Sequence, residues 1–113
     1  MDGSGTDLRA LAGELAGTAA GAGSGRAAAT VHGGHGATLR QTVIALRAGA
    51  ELAEHENPGE ATVQVLTGRV RLTAAGGAVA GDEGSLLVVP GKRHGLTALT
   101  DAVVLLTVAK LPG

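Results

Sequence analysis

Four histidines are the side chains of this 113-residue chain best suited to chemistry near neutral pH, because it contains no cysteine. An imidazole can bind a divalent metal, form a hydrogen bond or exchange a proton. His32 and His35 lie in a glycine-rich segment, His55 lies among glutamates, and His94 follows two basic residues. The missing thiols exclude disulfides, thiolate metal sites and cysteine nucleophiles. The candidate sites therefore centre on the histidines.

The residues around His55 follow a regular spacing. Gly49 is followed after five residues by His55, and Gly68 ends the pattern. This resembles the first motif of the cupin superfamily, G-x5-H-x-H-x3-4-E-x6-G. Asn57 stands where that motif has its second histidine, and Ala61 stands where it has its glutamate. The spacing is kept and two of the ligand types are lost.

A second spaced segment contains His94. Gly84 is followed after five residues by Pro90, and then by Gly91 and His94. This resembles the second cupin motif, G-x5-P-x-G-x2-H-x3-N, with the second glycine and the histidine each one position early and Ala98 in place of the asparagine. The two motifs occur in the family order, and the resemblance covers roughly residues 38–110.

The resemblance implies an all-β, cupin-type jelly-roll barrel or sandwich, often dimeric. In typical members the two histidines and glutamate of the first motif, with the histidine of the second, hold a divalent metal at one mouth of the barrel. Known functions range from dioxygenases and isomerases to the non-enzymatic binding of sugars or effectors. The fold by itself therefore constrains the function little.

The metal-ligand set is incomplete. Only His55 and His94 occupy matching positions, Asn57 offers a weak carbonyl oxygen, and Ala61 offers nothing. Three protein ligands are usual for a catalytic metal. We therefore expect either no cofactor or a single divalent transition metal. A histidine from the 31–36 segment could complete the set, but two exposed loop histidines are the commoner meaning of such a pair.

The segment around Ala61 alternates between apolar and polar residues. If Ala61 faces inward, so do Val63 and Val65, while Glu60 and Gln64 point outward. The lost carboxylate is then not replaced by a neighbour. A bulge near Gly59 is the alternative that would turn Glu60 inward.

Three functions remain open. The first is non-enzymatic binding of a small polar molecule, anionic or hydroxylated, by His55, Asn57 and His94 in the barrel mouth. The second is a metal-dependent enzyme of the dioxygenase, isomerase or lyase type. The third is a structural or partner-binding module that uses an outward sheet face with Thr62, Gln64, Arg69 and Arg71. No residue set identifies catalytic residues or a substrate.

The elements that must position these residues are short strands. Strand-like segments follow one another from residue 26 onward, separated by glycine and proline, with no room for crossover helices. Residues 26–113 are therefore predicted to form the barrel. Residues 1–25 are predicted to be a flexible segment with a short helix over about 6–17, where Ser4 followed by Asp7 gives an N-cap signal, and with a linker over 18–25.

The composition excludes several classes of protein. A net charge of −1 without a basic stripe argues against nucleic-acid binding, and no apolar run is long enough to cross a bilayer. Without an export signal or cysteine, we expect a cytoplasmic protein. The chain has no Phe, Trp or Tyr. Because such a small core gains little burial, a homodimer is expected.

Overall fold

The computed structural model describes residues 3–34, 36–55, 59–74, 76–91 and 93–110. Within these ranges the chain forms one helix followed by nine strands. Their bounds are α1 Leu8–Gly21, β1 Arg26–His32, β2 Leu39–Leu46, β3 Glu51–His55, β4 Gly59–Thr67, β5 Arg69–Ala74, β6 Gly77–Asp82, β7 Leu86–Val89, β8 His94–Ala98 and β9 Ala102–Lys110. No helix in the described ranges is long and apolar enough to cross a membrane.

The strands form two antiparallel sheets that pack face to face. The five-stranded sheet has the order β1-β2-β9-β4-β7, and the four-stranded sheet has the order β3-β8-β5-β6. Apart from the pairs β1–β2 and β5–β6, neighbouring strands are not consecutive in the sequence, which is the arrangement of a jelly roll. The predicted all-β jelly-roll architecture is confirmed.

The space between the sheets is filled mainly by aliphatic side chains. Alternate residues of β4, β5 and β7 point into it, as the burial of Val70 and Leu72 between exposed Arg69 and Arg71 illustrates. Aromatic rings are absent, so Val, Leu, Ile and Ala must fill the volume. The buried members are Ile44, Leu46, Ala61, Val63, Val65, Val70, Leu72, Leu87, Val89, Leu96, Ala98, Ala102 and Val104.

Helix α1 covers the outer face of the five-stranded sheet. Its Leu8, Leu11 and Leu15, together with buried Ala12 and Ala19, pack against a second cluster that contains Val43, Ala45, Val103 and Leu105. The five-stranded sheet is therefore buried on both faces where the helix crosses it. The helix holds the N-terminal segment to the barrel through an apolar contact.

The helix is longer than predicted at its C-terminal end. Residues 18–21, predicted to begin a linker, are helical. Ala19 packs on the sheet, and the Arg47 guanidinium donates hydrogen bonds of 3.2 Å to the carbonyl oxygens of Ala20 and Ala22. These bonds satisfy carbonyls that a helix end leaves without partners. The extension was missed because its causes lie in a distant strand.

The N-cap of the helix gives a testable prediction. The Asp7 carboxylate accepts a hydrogen bond from the backbone N–H of Ala10 at 3.1 Å. We expect Asp7→Ala to lower the free energy of unfolding by about 1 kcal/mol, the usual value of such a cap. Urea unfolding measures it. Ser4→Ala is the control, because exposed Ser4 lies outside the helix; an equal loss in both variants would contradict the assignment.

The outward residues predicted to share one sheet face do not share it. Thr62 and Gln64 belong to β4 in the five-stranded sheet, whereas Arg69 and Arg71 belong to β5 in the four-stranded sheet. The tight turn at Gly68 moves the chain from one sheet to the other. A single docking face built from all four is therefore wrong.

Candidate functional site

His94 is the central residue of the candidate site. It begins β8, is only 5% exposed, and is the one buried polar or charged residue in the part of the chain that the structure describes. It lines an interior cavity whose other walls are aliphatic, namely Ile44, Leu52, Val63, Leu72, Val89, Leu96, Val104 and Leu106. A polar ring is costly to place there unless it has partners or a function.

A β-bulge brings His55 opposite His94. Leu52 pairs with Leu96, and His55 pairs with His94, so three steps along β3 match two steps along β8. A regular ladder would have put residue 54 opposite His94 instead. Bulges of this kind redirect the residues that follow them. The two histidine positions predicted to converge therefore form a cross-strand pair, and their role as ligands stays a prediction.

Ala61 lies on the inner face of the opposite sheet. It is 6% exposed and pairs with Val89 and Val108 on its two neighbouring strands. Val63 and Val65 are buried in the same way, whereas Glu60 and Gln64 are exposed. The predicted alternation is confirmed. Pairing is regular from Gly59 to Ala61, so the alternative bulge that would turn Glu60 inward is excluded.

Arg40 is a mouth residue that the sequence analysis missed. It lies in the same register row as Val108 and Ala61. Ile44 belongs to the inner core, and strand alternation places Arg40 on that same inner face of β2. Because Arg40 is exposed, it lies at the rim of the barrel and not in the core. The pairing of β2 with β9 is regular from Leu39 to Leu46, so the structure fixes the face of residue 40, whereas the sequence of this segment does not alternate.

The barrel interior beneath His94 is almost full. The cavity that this residue lines has a volume of about 20 Å³. That is room for about one water molecule. This cavity has no room for a larger ligand, so we expect a larger ligand to contact His94 from the rim.

His32 does not belong to this site. It is the last residue of β1, not a loop residue, and a bulge after Thr30 pairs it with Gln41. It lines a separate pocket of about 350 Å³ with Val31, Leu39 and Leu105, next to helix α1 on the outer face of the sheet. His94 therefore lies between the two sheets, whereas His32 lies on the outer face of the five-stranded sheet. His35 and Asn57 lie outside the described residues.

The donor set does not fit the metal that the resemblance implies. His55 and His94 pair within one sheet, and Ala61 stands on the inner face of the other sheet where the motif has a carboxylate. The described residues contain no cluster of three His, Cys, Asp or Glu side chains. Arg93, next to His94, is an exposed cation at the same mouth. Arg40 and Arg93 are the guanidinium groups beside this site, and the carboxylate of Glu60 points to the outer face of β4.

The two antiparallel sheets and their strand order define a cupin-type jelly roll, and comparisons with known proteins agree on this fold. No family model and no curated protein matches the chain. Among solved structures it is similar to a conserved protein of unknown function from Streptococcus pyogenes, with 29% identity, a TM-score of 0.73, and coverage of 81% of this chain and 80% of that one.

An RmlC-like cupin protein from Desulfovibrio desulfuricans is 30% identical, with a TM-score of 0.65 over 74% of this chain and 81% of that one. KdgF from Halomonas sp. shares the fold at 19% identity and a TM-score of 0.66, over 77% of this chain and 82% of that one. The chain belongs to the cupin superfamily.

Proposed function

We propose that this cupin is a non-enzymatic binding protein that holds a small anionic or hydroxylated molecule at the barrel mouth. The observation that carries the proposal is the cross-strand pair of His55 and His94, with Ala61 in place of the metal-binding carboxylate. The histidine pair keeps two polar groups at the mouth. Ala61 takes the place of the carboxylate whose negative charge would help to hold a cation. A cytoplasmic location is part of the proposal and rests on the cysteine-free composition.

The chemistry of the rim supports this class of ligand. A neutral imidazole donates one hydrogen bond and accepts one, and an imidazolium donates two. Arg40 and Arg93 add guanidinium groups, which recognise carboxylates and phosphates through paired N–H donors. Asn57, two residues after His55, is proposed as a further amide contact. Because the chain has no aromatic residue, stacking cannot contribute.

The filled interior limits the size and depth of the ligand. The cavity of about 20 Å³ below His94 takes no more than a water molecule, so the ligand rests across the mouth. Few contacts are available there, and weak binding is expected. This geometry fits a sensor or carrier of a small acid or sugar better than an enclosed reaction chamber.

The experiment is a titration of tag-free protein followed by NMR of the histidine rings. Inorganic phosphate, succinate and mannitol serve as probes. We expect at least one to shift the His94 ring resonances, and His55→Ala or His94→Ala to weaken its binding about 10- to 100-fold, the value of hydrogen bonds to a charged group. His32→Ala is the matched control, because that histidine lies on the other face of the sheet.

Two results would overturn the proposal. One is a stoichiometric content of iron, nickel, zinc or manganese in the tag-free protein. The other is ligand binding that survives His94→Ala unchanged. In the first case the metal-dependent alternative gains support, and it requires that His55→Ala and His94→Ala each abolish metal uptake.

A further inference from the structure

Strand β7 forms an open edge of the five-stranded sheet. In the part of the chain that the structure describes, it pairs with β4 and with no other strand. Its outward residues Leu86 and Val88 are 61% and 73% exposed, more than any other large aliphatic residue described. Exposed apolar side chains on a strand edge are typical of a surface that pairs with another strand.

The backbone groups on this edge have a definite direction. The N–H of Val65 donates to the carbonyl of Ser85 at 2.9 Å, which fixes the residues of β7 that point toward β4. In an antiparallel ladder these residues alternate, so Leu87 and Val89 also point toward β4. The N–H and C=O groups of Leu86 and Val88 therefore face the open side.

The open edges of the two sheets differ in charge. Arg26 lies on the β1 edge and Glu51 lies on the β3 edge, and charges of this kind discourage edge-to-edge pairing. The β7 edge and residues 77–81 of the adjacent β6 edge carry no charge. Between them lies a cleft of about 270 Å³ with apolar and glycine walls, which include Val79, Val88 and the core residue Leu72. These two stretches are therefore uncharged where they face each other.

We propose that two copies of this chain dimerise by antiparallel pairing of their β7 strands about a two-fold axis at Leu87. Leu86 then lies opposite the partner's Val88, and each such pair exchanges two backbone hydrogen bonds. The two sheets become one continuous sheet of ten strands. The proposal does not depend on the ligand at the barrel mouth.

The strand is its own best partner for a geometric reason. With the axis at Leu87, Leu86 of each copy lies opposite Val88 of the other copy. The four exposed side chains therefore cover one another across the interface. Moving the axis to Val88 would put Leu86 opposite Pro90 of the partner subunit, which has no N–H to donate. A second copy also supplies the uncharged aliphatic segment that the edge requires.

The first test is the molar mass in solution, measured by light scattering. The wild type is expected to be a dimer at micromolar concentration. Val88→Lys is expected to raise the dissociation constant about 100-fold or more, because it places charges inside the apolar pairing. Leu99→Lys is the matched control, since Leu99 is an exposed aliphatic in the β8–β9 turn. A monomeric wild type, or a dimer that persists in Val88→Lys, overturns the proposal.

The second test does not depend on a disruptive variant. The natural chain has no cysteine, so Leu86→Cys and Val88→Cys each carry one thiol. The proposed register places residue 86 opposite residue 88, within disulfide reach, and keeps like residues about 7–8 Å apart. Under oxidation a mixture of the two variants should give covalent dimers, and either variant alone should not. If the mixture gives no more covalent dimer than the single variants do, the proposed register is wrong. If Val88→Lys and Leu99→Lys both lose the dimer, the crosslinking result decides whether the β7 strands pair.

Discussion

Ala61→Glu is expected to give the barrel a site for about one divalent transition metal per chain, because it completes three protein ligands of the usual types. The new carboxylate would stand on the inner face of β4, opposite the sheet that carries His55 and His94. Without metal the variant should lose about 1–3 kcal/mol of stability, since a carboxyl group replaces a buried methyl. Zinc, cobalt or nickel should restore it by binding the folded state.

Metal analysis of tag-free protein and thermal unfolding with and without zinc measure both effects. Thr62→Glu is the control, because it puts the same carboxylate one residue further on the outer face of β4. The double variant Ala61→Glu/His94→Ala should lose the metal again. If Ala61→Glu binds no more metal than Thr62→Glu, the histidine pair does not converge on the position of residue 61.

Gly68→Ala is expected to cost at least about 3 kcal/mol more stability than Gly84→Ala, in the range reserved for severe steric conflict. Both glycines have positive φ angles, +79° and +89°, which alone cost about 1–2 kcal/mol for a residue with a side chain. A Cβ at Gly68 would collide with the Asp101 carbonyl oxygen and lie 2.8 Å from the Ala102 Cα, whereas a Cβ at Gly84 would meet nothing within 4 Å.

Urea unfolding of the two variants separates backbone strain from collision. Gly84→Ala measures the strain, and the difference between the variants measures the cost of pushing β9 away from the β4–β5 turn. If both variants lose the same unfolding free energy, the segments around Gly68 and Asp101 can move apart at no measurable cost. The glycine that ends the first motif then has a purely local role.

The strand pattern of the barrel could be predicted from the sequence, because it depends on local alternation. Ala61, Val63 and Val65 point inward and Gln64 points outward, as two-residue periodicity requires. The loss of the carboxylate ligand follows from the same pattern. These features need no knowledge of the neighbouring strand.

The features that place the histidines could not be predicted in this way. The bulge in β3 that sets His55 opposite His94 depends on pairing with β8, and the bulge in β1 turns His32 to the outer face by pairing with β2. A bulge inserts one residue relative to a partner strand, so a single segment carries little sign of it. Arg40 was missed for a simpler reason, because its strand was recognised but its inner face was not assigned.

The aliphatic core also has a spectroscopic consequence. Because no Phe, Tyr or Trp is present, the folded protein has no aromatic absorption or fluorescence of its own. A near-ultraviolet or visible band that appears when cobalt or nickel is added to Ala61→Glu would therefore come from the metal site alone. A single tryptophan introduced at the rim would be the only emitter in the molecule, so its intensity would report directly on events at the barrel mouth.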